Sequence, residues 1–180
     1  AGAGTAEFSG YGAGETLRLI GPLGNGFPLD KGYQKVFLIG GGIGVPPMVE
    51  LSKQLPGEKI VVSGYRGGDL FLKDELSRHA KLVVATEDGS AGTRGNVLDA
   101  IRENDLHADA IFACGPGPML RALKAYAEEE GIDCYLSLEE RMACGIGACL
   151  ACVCKSKDVD VHTNVKNKRF CKDGPVFAAD

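Results

Sequence analysis

Cys144, Cys149 and Cys152 stand with four and then two residues between them, inside the stretch Met142-Ala143-Cys144-Gly145-Ile146-Gly147-Ala148-Cys149-Leu150-Ala151-Cys152, and Cys171 follows at a distance. No other feature restricts the fold as much, because four thiols placed this way need a tight loop and a remote segment that returns to close it. The spacing is that of plant-type [2Fe–2S] ligation, in which thiolates converge on two irons. The small residues Ala143, Gly145, Gly147, Ala148 and Ala151 let backbone N–H groups approach the cluster sulfurs, where hydrogen bonds tune the potential. Cys154, one residue past Cys152, suits the spacing less well and reads as a bystander. Zinc sites usually bring two close cysteine pairs, and here the second pair is missing. A disulfide framework also fits poorly, since seven cysteines sit in a chain of 180 residues that can build a core without staples.

Length suits one full domain with small appendages. The net charge of −4 gives no electrostatic basis for nucleic-acid binding. No apolar run reaches membrane-spanning length and no charged head precedes an apolar core at the N-terminus, so the expectation is a cytoplasmic protein without anchor or signal peptide. The last thirty residues carry Lys155, Lys157, Lys166, Lys168, Arg169 and Lys172 against Asp158, Asp160, Asp173 and Asp180. A slightly basic cluster end would suit an acidic redox partner, although an ordinary solvated face is the commoner meaning of such a run.

Residues 1–14 are mostly Gly, Ala and other small residues and read as loop. Glu15 to Ile20 alternates like one strand, and Gly21-Pro22-Leu23-Gly24-Asn25-Gly26-Phe27-Pro28 reads as a connection between domains. From Gln34 the pattern becomes short β-branched runs separated by helical stretches, the signature of βαβ units on a parallel sheet. Strands are predicted at Lys35–Ile39, Lys59–Gly64, Lys81–Thr86, Ala110–Ala113 and Cys134–Ser137, with helices at Val45–Gln54, Asp69–His79, Val97–Glu103 and Pro118–Glu130. The expected fold is α/β, a five-stranded doubly wound parallel sheet over residues 31–138. A small cysteine module spans 139–180, and 1–30 forms the segment before the sheet. Within the module, Val159-Asp160-Val161-His162 and Lys168-Arg169-Phe170 read as a hairpin that metal ligation would help to stabilise.

Two glycine turns point to nucleotide chemistry. Gly40-Gly41-Gly42-Ile43-Gly44-Val45-Pro46-Pro47-Met48 and Cys114-Gly115-Pro116-Gly117-Pro118-Met119 each end a strand and start a helix, at the sheet edge where open α/β folds bind ligands. Glycines allow close backbone approach, and the helix N-termini offer free N–H groups to a pyrophosphate. Gly64-Tyr65-Arg66 and Thr86-Glu87-Asp88-Gly89-Ser90 end strands on the same edge and could hold ribose and adenine. No acidic residue clearly caps the second strand, and Arg66 would welcome a 2′-phosphate, so residue type leaves NAD and NADP both open. Cys114 reads as a structural or cofactor-lining thiol rather than a nucleophile, because His79, His107 and His162 are scattered. Glu139 and Glu140 read as solvated carboxylates before proton carriers. A nicotinamide moves two electrons and an iron–sulfur cluster one, so the combination calls for a flavin as intermediary.

Gly21-Pro-Leu-Gly-Asn-Gly-Phe27, Gly40-Gly-Gly-Ile-Gly-Val-Pro-Pro47, Thr86-Glu-Asp-Gly-Ser90, Cys114-Gly-Pro-Gly-Pro-Met119, Glu140-Arg-Met-Ala-Cys-Gly-Ile-Gly-Ala-Cys149 and Cys171-Lys-Asp-Gly-Pro-Val-Phe177 resemble the electron-transfer subunits of class 1B dihydroorotate dehydrogenases. These belong to the ferredoxin reductase superfamily. The resemblance implies cluster ligation by Cys144, Cys149, Cys152 and Cys171. It implies nicotinamide binding along Gly41, Gly42, Gly44, Thr86, Glu87, Asp88, Cys114, Gly115, Pro116 and Met119, and FAD pyrophosphate contact at Gly4 and Thr5. It further implies an FMN-containing catalytic partner in a heterotetramer of pyrimidine biosynthesis, with electrons running from dihydroorotate to FMN, cluster, FAD and NAD.

Such proteins carry more β-barrel, with an Arg-containing segment that grips FAD, than residues 1–30 supply. These residues therefore read as a barrel remnant, and weak or absent FAD is expected of this chain alone. A reductase subunit of an NAD(P)H:ferredoxin oxidoreductase or sulfhydrogenase is the alternative within redox enzymes. A non-catalytic metal-binding nucleotide sensor is the alternative outside them.

Overall fold

The computed structural model describes residues 2–161 and 164–179. Its centre is a sheet of seven strands: β1 (Lys35–Gly41), β2 (Glu58–Tyr65), β3 (Lys81–Thr86), β4 (Thr93–Arg94), β5 (Ala110–Cys114), β6 (Asp133–Ser137) and β9 (Val176–Ala178), in the order β4-β3-β2-β1-β5-β6-β9. All neighbours are parallel except β6 and β9. Order reverses direction at β1, which creates a crevice outside the carboxyl ends of β1 and β5.

The near-continuous apolar composition of β1 reflects burial on both sides of the sheet. Phe37 and Ile39 face α4 (Val97–Glu103) and α5 (Gly117–Glu130), packing with Leu98, Ile101, Leu120 and Leu123. Val36 and Leu38 face α2 (Val45–Gln54) and α3 (Lys73–Ser77), packing with Val45, Met48, Val49 and Leu76. Phe112 ties β5 to its flanks, stacking on Phe27 and meeting Tyr33 and Tyr135 edge to face. The Asp109 carboxylate accepts from the backbone N–H groups of Gln34 and Lys35, each at 2.9 Å, and so pins the start of β1 beside β5.

The five predicted strands are present, but two more join the sheet. β4 is a two-residue strand and β9 comes from the far end of the cysteine module. The expectation of a loop over residues 1–14 and a strand over Glu15–Ile20 is corrected. Ala3–Phe8 forms a short helix, α1, with no buried residue. Glu15–Ile20 forms no strand, and Leu19 and Ile20 are exposed. Alternation of Leu17, Arg18 and Leu19 imitates a half-buried strand, yet among the described residues no strand pairs with it.

The helix expected over Asp69–His79 shrinks to α3. Leu72 adopts a left-handed conformation (φ 61°) before its first residue, and Phe71 is turned back, its carbonyl accepting from the Tyr65 hydroxyl at 2.9 Å. The expected hairpin is also corrected. Its strands are β7 (Val153–Lys155) and β8 (Asn167–Arg169), paired antiparallel. Val159–Val161 is not part of it, and His162 lies outside the described residues.

Candidate cluster pocket and nucleotide cleft

The β7–β8 hairpin determines which cysteines meet. Val153 pairs with Arg169, and the Phe170 N–H donates to the Cys152 carbonyl at 3.0 Å. Residues flanking the hairpin are thereby brought side by side, so the Cys152 and Cys171 sulfurs lie 3.3 Å apart and both residues are buried. Cys144 and Cys149 form the second close pair, with the Cys149 N–H donating to Cys144 Sγ at 3.4 Å. Further backbone donors point at sulfur, from Gly147 to Cys171 at 3.2 Å and from Ala151 to Cys149 at 3.5 Å. Gly145 and Gly147 supply this inward-facing backbone with φ of 73° and 81°, where a side chain would be strained.

This chemistry fits a two-iron cluster. All seven cysteines are free. Amides of Cys149 and Ile146 pull the Cys144 thiol down to about 6, toward the thiolate that iron requires. Burial pushes the Cys171 thiol up, and the adjacent Cys152 thiol adds to that. The four thiols stand as two close pairs, an arrangement that suits two irons. Cys154 lies on β7, half-buried against Cys152, Phe170 and Cys171, and burial pushes its thiol up.

Two features of the pocket have no local sequence signal. Arg169 is only 4% exposed. Its guanidinium meets Asp160 at 3.1 Å and Asp173 at 3.2 Å, and reaches the Gly147 carbonyl at 3.5 Å. Asn25 lies in the segment that reads from sequence as a connection. Its side-chain amide donates to the carbonyls of Lys172 (3.0 Å) and Asp173 (3.2 Å), and its backbone N–H to Gly174 (2.6 Å). The segment thus brackets the turn that follows Cys171. A Cβ on Gly24 would collide with the Gly174 carbonyl, which explains the glycine beside Asn25.

The second candidate site is a cleft of about 1380 Å³ along the carboxyl edge of the sheet. Of the residues predicted to hold nicotinamide cofactor, Gly41, Gly42, Glu87, Gly115, Pro116 and Met119 line it. Gly44 instead packs on the second glycine turn, where a Cβ would collide with the Cys114 carbonyl. Thr86 is buried, donating to the Ala91 carbonyl at 2.7 Å and accepting from its N–H at 3.1 Å. Asp88 accepts from the Ser90 hydroxyl and N–H, which hold its carboxyl below the usual range. Cys114 is buried and its thiol is pushed up by burial, so it is a packing thiol in this state.

Gly4 and Thr5 lie on α1, away from the cleft lining. Arg66 and Asp69 both line the cleft past β2, so the acidic group absent from the end of that strand is supplied four residues later. The Asn96 carboxamide at the cleft wall caps α4 in a reciprocal box with Asp99. Glu139 lines the cleft with Leu138 and Phe170, Glu140 does not, and both are exposed. Phe170 immediately precedes Cys171, so cleft and cluster pocket share a wall.

Known proteins match this arrangement. Residues 139–180 match the iron-sulfur cluster binding domain of dihydroorotate dehydrogenase B. The chain is 45% identical to the dihydroorotate dehydrogenase B (NAD(+)) electron transfer subunit of Geobacillus sp. (strain WCH70), over 99% of its own length and 69% of that protein. It is 46% identical to the corresponding subunit of Listeria monocytogenes serotype 4b (strain F2365), over 99% of its own length and 70% of that protein. The chain belongs to this family.

The dihydroorotate dehydrogenase B electron-transfer subunits thus account for both ends of the chain and the sheet between. Among solved structures, the NADH-dependent reduced ferredoxin-NADP oxidoreductase superposes with a TM-score of 0.83 at 31% identity. The match covers 97% of this chain and 63% of that one. The C-terminal domain of a Pyrococcus furiosus hydrogenase shares the fold, with a TM-score of 0.52 at 18% identity. The chain is therefore an oxidoreductase component of ferredoxin reductase-like α/β architecture. Among the described residues, no helix is long and apolar enough to cross a membrane.

Proposed function

We propose that this chain passes electrons from an FMN-containing dihydroorotate dehydrogenase subunit to NAD, as a cytoplasmic component of pyrimidine biosynthesis. Cys144, Cys149, Cys152 and Cys171 hold the [2Fe–2S] cluster. Gly41, Gly42, Glu87, Gly115, Pro116 and Met119 bind the nicotinamide cofactor. The observation that carries this reading is Phe170, which lines the cleft and packs with Cys152 and Cys171.

When bound, the cluster supplies one-electron transfer and a flavin the exchange between one- and two-electron chemistry. The chain's own contribution is geometric. Backbone amides of residues 147, 149 and 151 face the sulfurs of Cys171, Cys144 and Cys149. Gly41 and Gly115 let the two glycine turns pack on each other and on Met119, where a Cβ would collide, and the uncapped first turn of α5 presents N–H groups to a pyrophosphate. Arg66 and Asp69 are placed to test the adenine ribose, the carboxylate favouring a free 2′-hydroxyl. Met142, Ile146 and Leu150 form an exposed apolar crown on the cysteine loop, a surface suited to docking the catalytic subunit.

The test combines two measurements. The chain reconstituted with iron and sulfide should give the paramagnetic resonance signal of a reduced [2Fe–2S] centre, and adding the FMN subunit and flavin should let dihydroorotate reduce NAD. Zinc at one equivalent with no visible absorption, or no NADH from the reconstituted pair, would overturn the reading.

A further inference from the structure

Arg169 is the buried charge that the nucleotide and cluster chemistry leave without a role. A guanidinium at 4% exposure is costly unless paired. Asp160 and Asp173 pair it, the latter through both carboxylate oxygens, at 3.2 Å to Nε and 3.4 Å to Nη2. Those contacts explain how the charge is tolerated but not why it is there. Arg169 lies two residues before Cys171, and its remaining reach is to the cysteine loop, where Nη1 meets the Gly147 carbonyl at 3.5 Å. Gly147 is buried, has a φ of 81° and donates its N–H to Cys171 Sγ at 3.2 Å. A Cβ there would press on the Lys172 side chain and come into contact with Arg169. The guanidinium therefore holds the residue whose amide faces a ligand sulfur, and it places a fixed positive charge behind that amide.

We propose that Arg169 is a positioning residue that sets the reduction potential of the cluster, by orienting the Gly147 backbone toward Cys171 and by offsetting the charge gained on reduction. The inference rests on the [2Fe–2S] reading of the four cysteines. On accepting one electron the cluster becomes one charge more negative, and a nearby cation with an aligned N–H donor stabilises that reduced form. Without Arg169, its charge would no longer offset that gain behind the Gly147 amide. For charges on the order of 10 Å apart at an effective dielectric near 20, Coulomb's law gives roughly a tenfold change in the reduction equilibrium. For a one-electron couple that is about 59 mV.

The experiment is a redox titration of the full reconstituted chain, followed by the paramagnetic resonance signal of the reduced cluster. R169Q should titrate at least roughly tenfold toward the oxidised form, and R169K, which keeps the charge but loses the fork, by less. D160N, which removes an opposing charge, should shift the equilibrium toward the reduced form. A merely structural role would lower the loaded fraction and leave the potential of that fraction unchanged. Native potentials in loaded R169Q would overturn the proposal. Should R169Q fail to load, an unshifted potential in D160N overturns it instead. Loss of the cluster signal in the native chain would refute the [2Fe–2S] reading itself, an outcome separate from any effect of the variants.

Discussion

The sheet and the cysteine module are held together by different means. The sheet buries two apolar layers, one on each face, and its strands carry side chains such as Phe37, Leu38, Phe112 and Ile111 with no measurable exposure. The module buries Cys152, Phe170 and Cys171 as its own small apolar cluster, with Leu138, Cys154 and Phe177 packed against it. Its other ties are polar: the Arg169 ion pairs and amide–sulfur contacts within it, and the Asn25 clamp from outside. A core of that size cannot offset the ordering of forty residues, so the module depends on ligation and on the sheet edge that captures β9. One half is a self-sufficient scaffold, and the other is a site that the scaffold and the metal complete together.

The sharpest break in this comparison is Cys171→Ser. It should abolish the visible chromophore and iron content, because one missing thiolate opens the cage, while far-UV circular dichroism of the sheet stays near native. Collapse of the whole chain would show that the two halves are not separable in this way. Phe112→Ala attacks the other half and should cost about 3–5 kcal/mol in a denaturant titration, the range for truncating a buried aromatic. Because Phe27 stacks on Phe112 two residues after Asn25, this change should also loosen the module, read as faster iron release.

The smallest of the three is Gly44→Ala, expected at about 1–3 kcal/mol as overpacking between the glycine turns. Its main readout is weaker nicotinamide cofactor binding, about tenfold for each 1.4 kcal/mol lost at the cleft. Unchanged affinity with lowered stability would mark Gly44 as scaffold alone.

Much of the scaffold was legible because its signal is local and repeated. Each of the five predicted strands is a short apolar run, buried on both faces in most of them, and the longer crossover helices α2 and α5 repeat their apolar faces often enough to be seen. β4 and β9 escaped because two or three residues carry no period, and β9 pairs with a strand about forty residues earlier in the chain. Glu15–Ile20 failed in the opposite way, having the period without a partner.

The site divides along similar lines. The cysteine spacing is a property of one loop and one return, legible without the fold, whereas the close approach of Cys152 and Cys171 is not. Val159–Val161 looked the better strand because it is β-branched, but only Val153–Lys155 lies beside Cys152, and only its pairing with Asn167–Arg169 draws Cys171 within 3.3 Å.

By itself, then, the sequence determined the parallel α/β class, the glycine turns at one sheet edge and the four cysteines of the pocket. Each depends on neighbours within a few residues or on a repeat that burial enforces. Tertiary structure alone decided that Asn25 clamps a turn 147 residues away, that Arg169 lies buried behind the cysteine loop, and that Phe170 divides cleft from cluster pocket. Those contacts join segments whose proximity is set by the order of strands and the register of one hairpin. No composition or spacing along a single stretch records either.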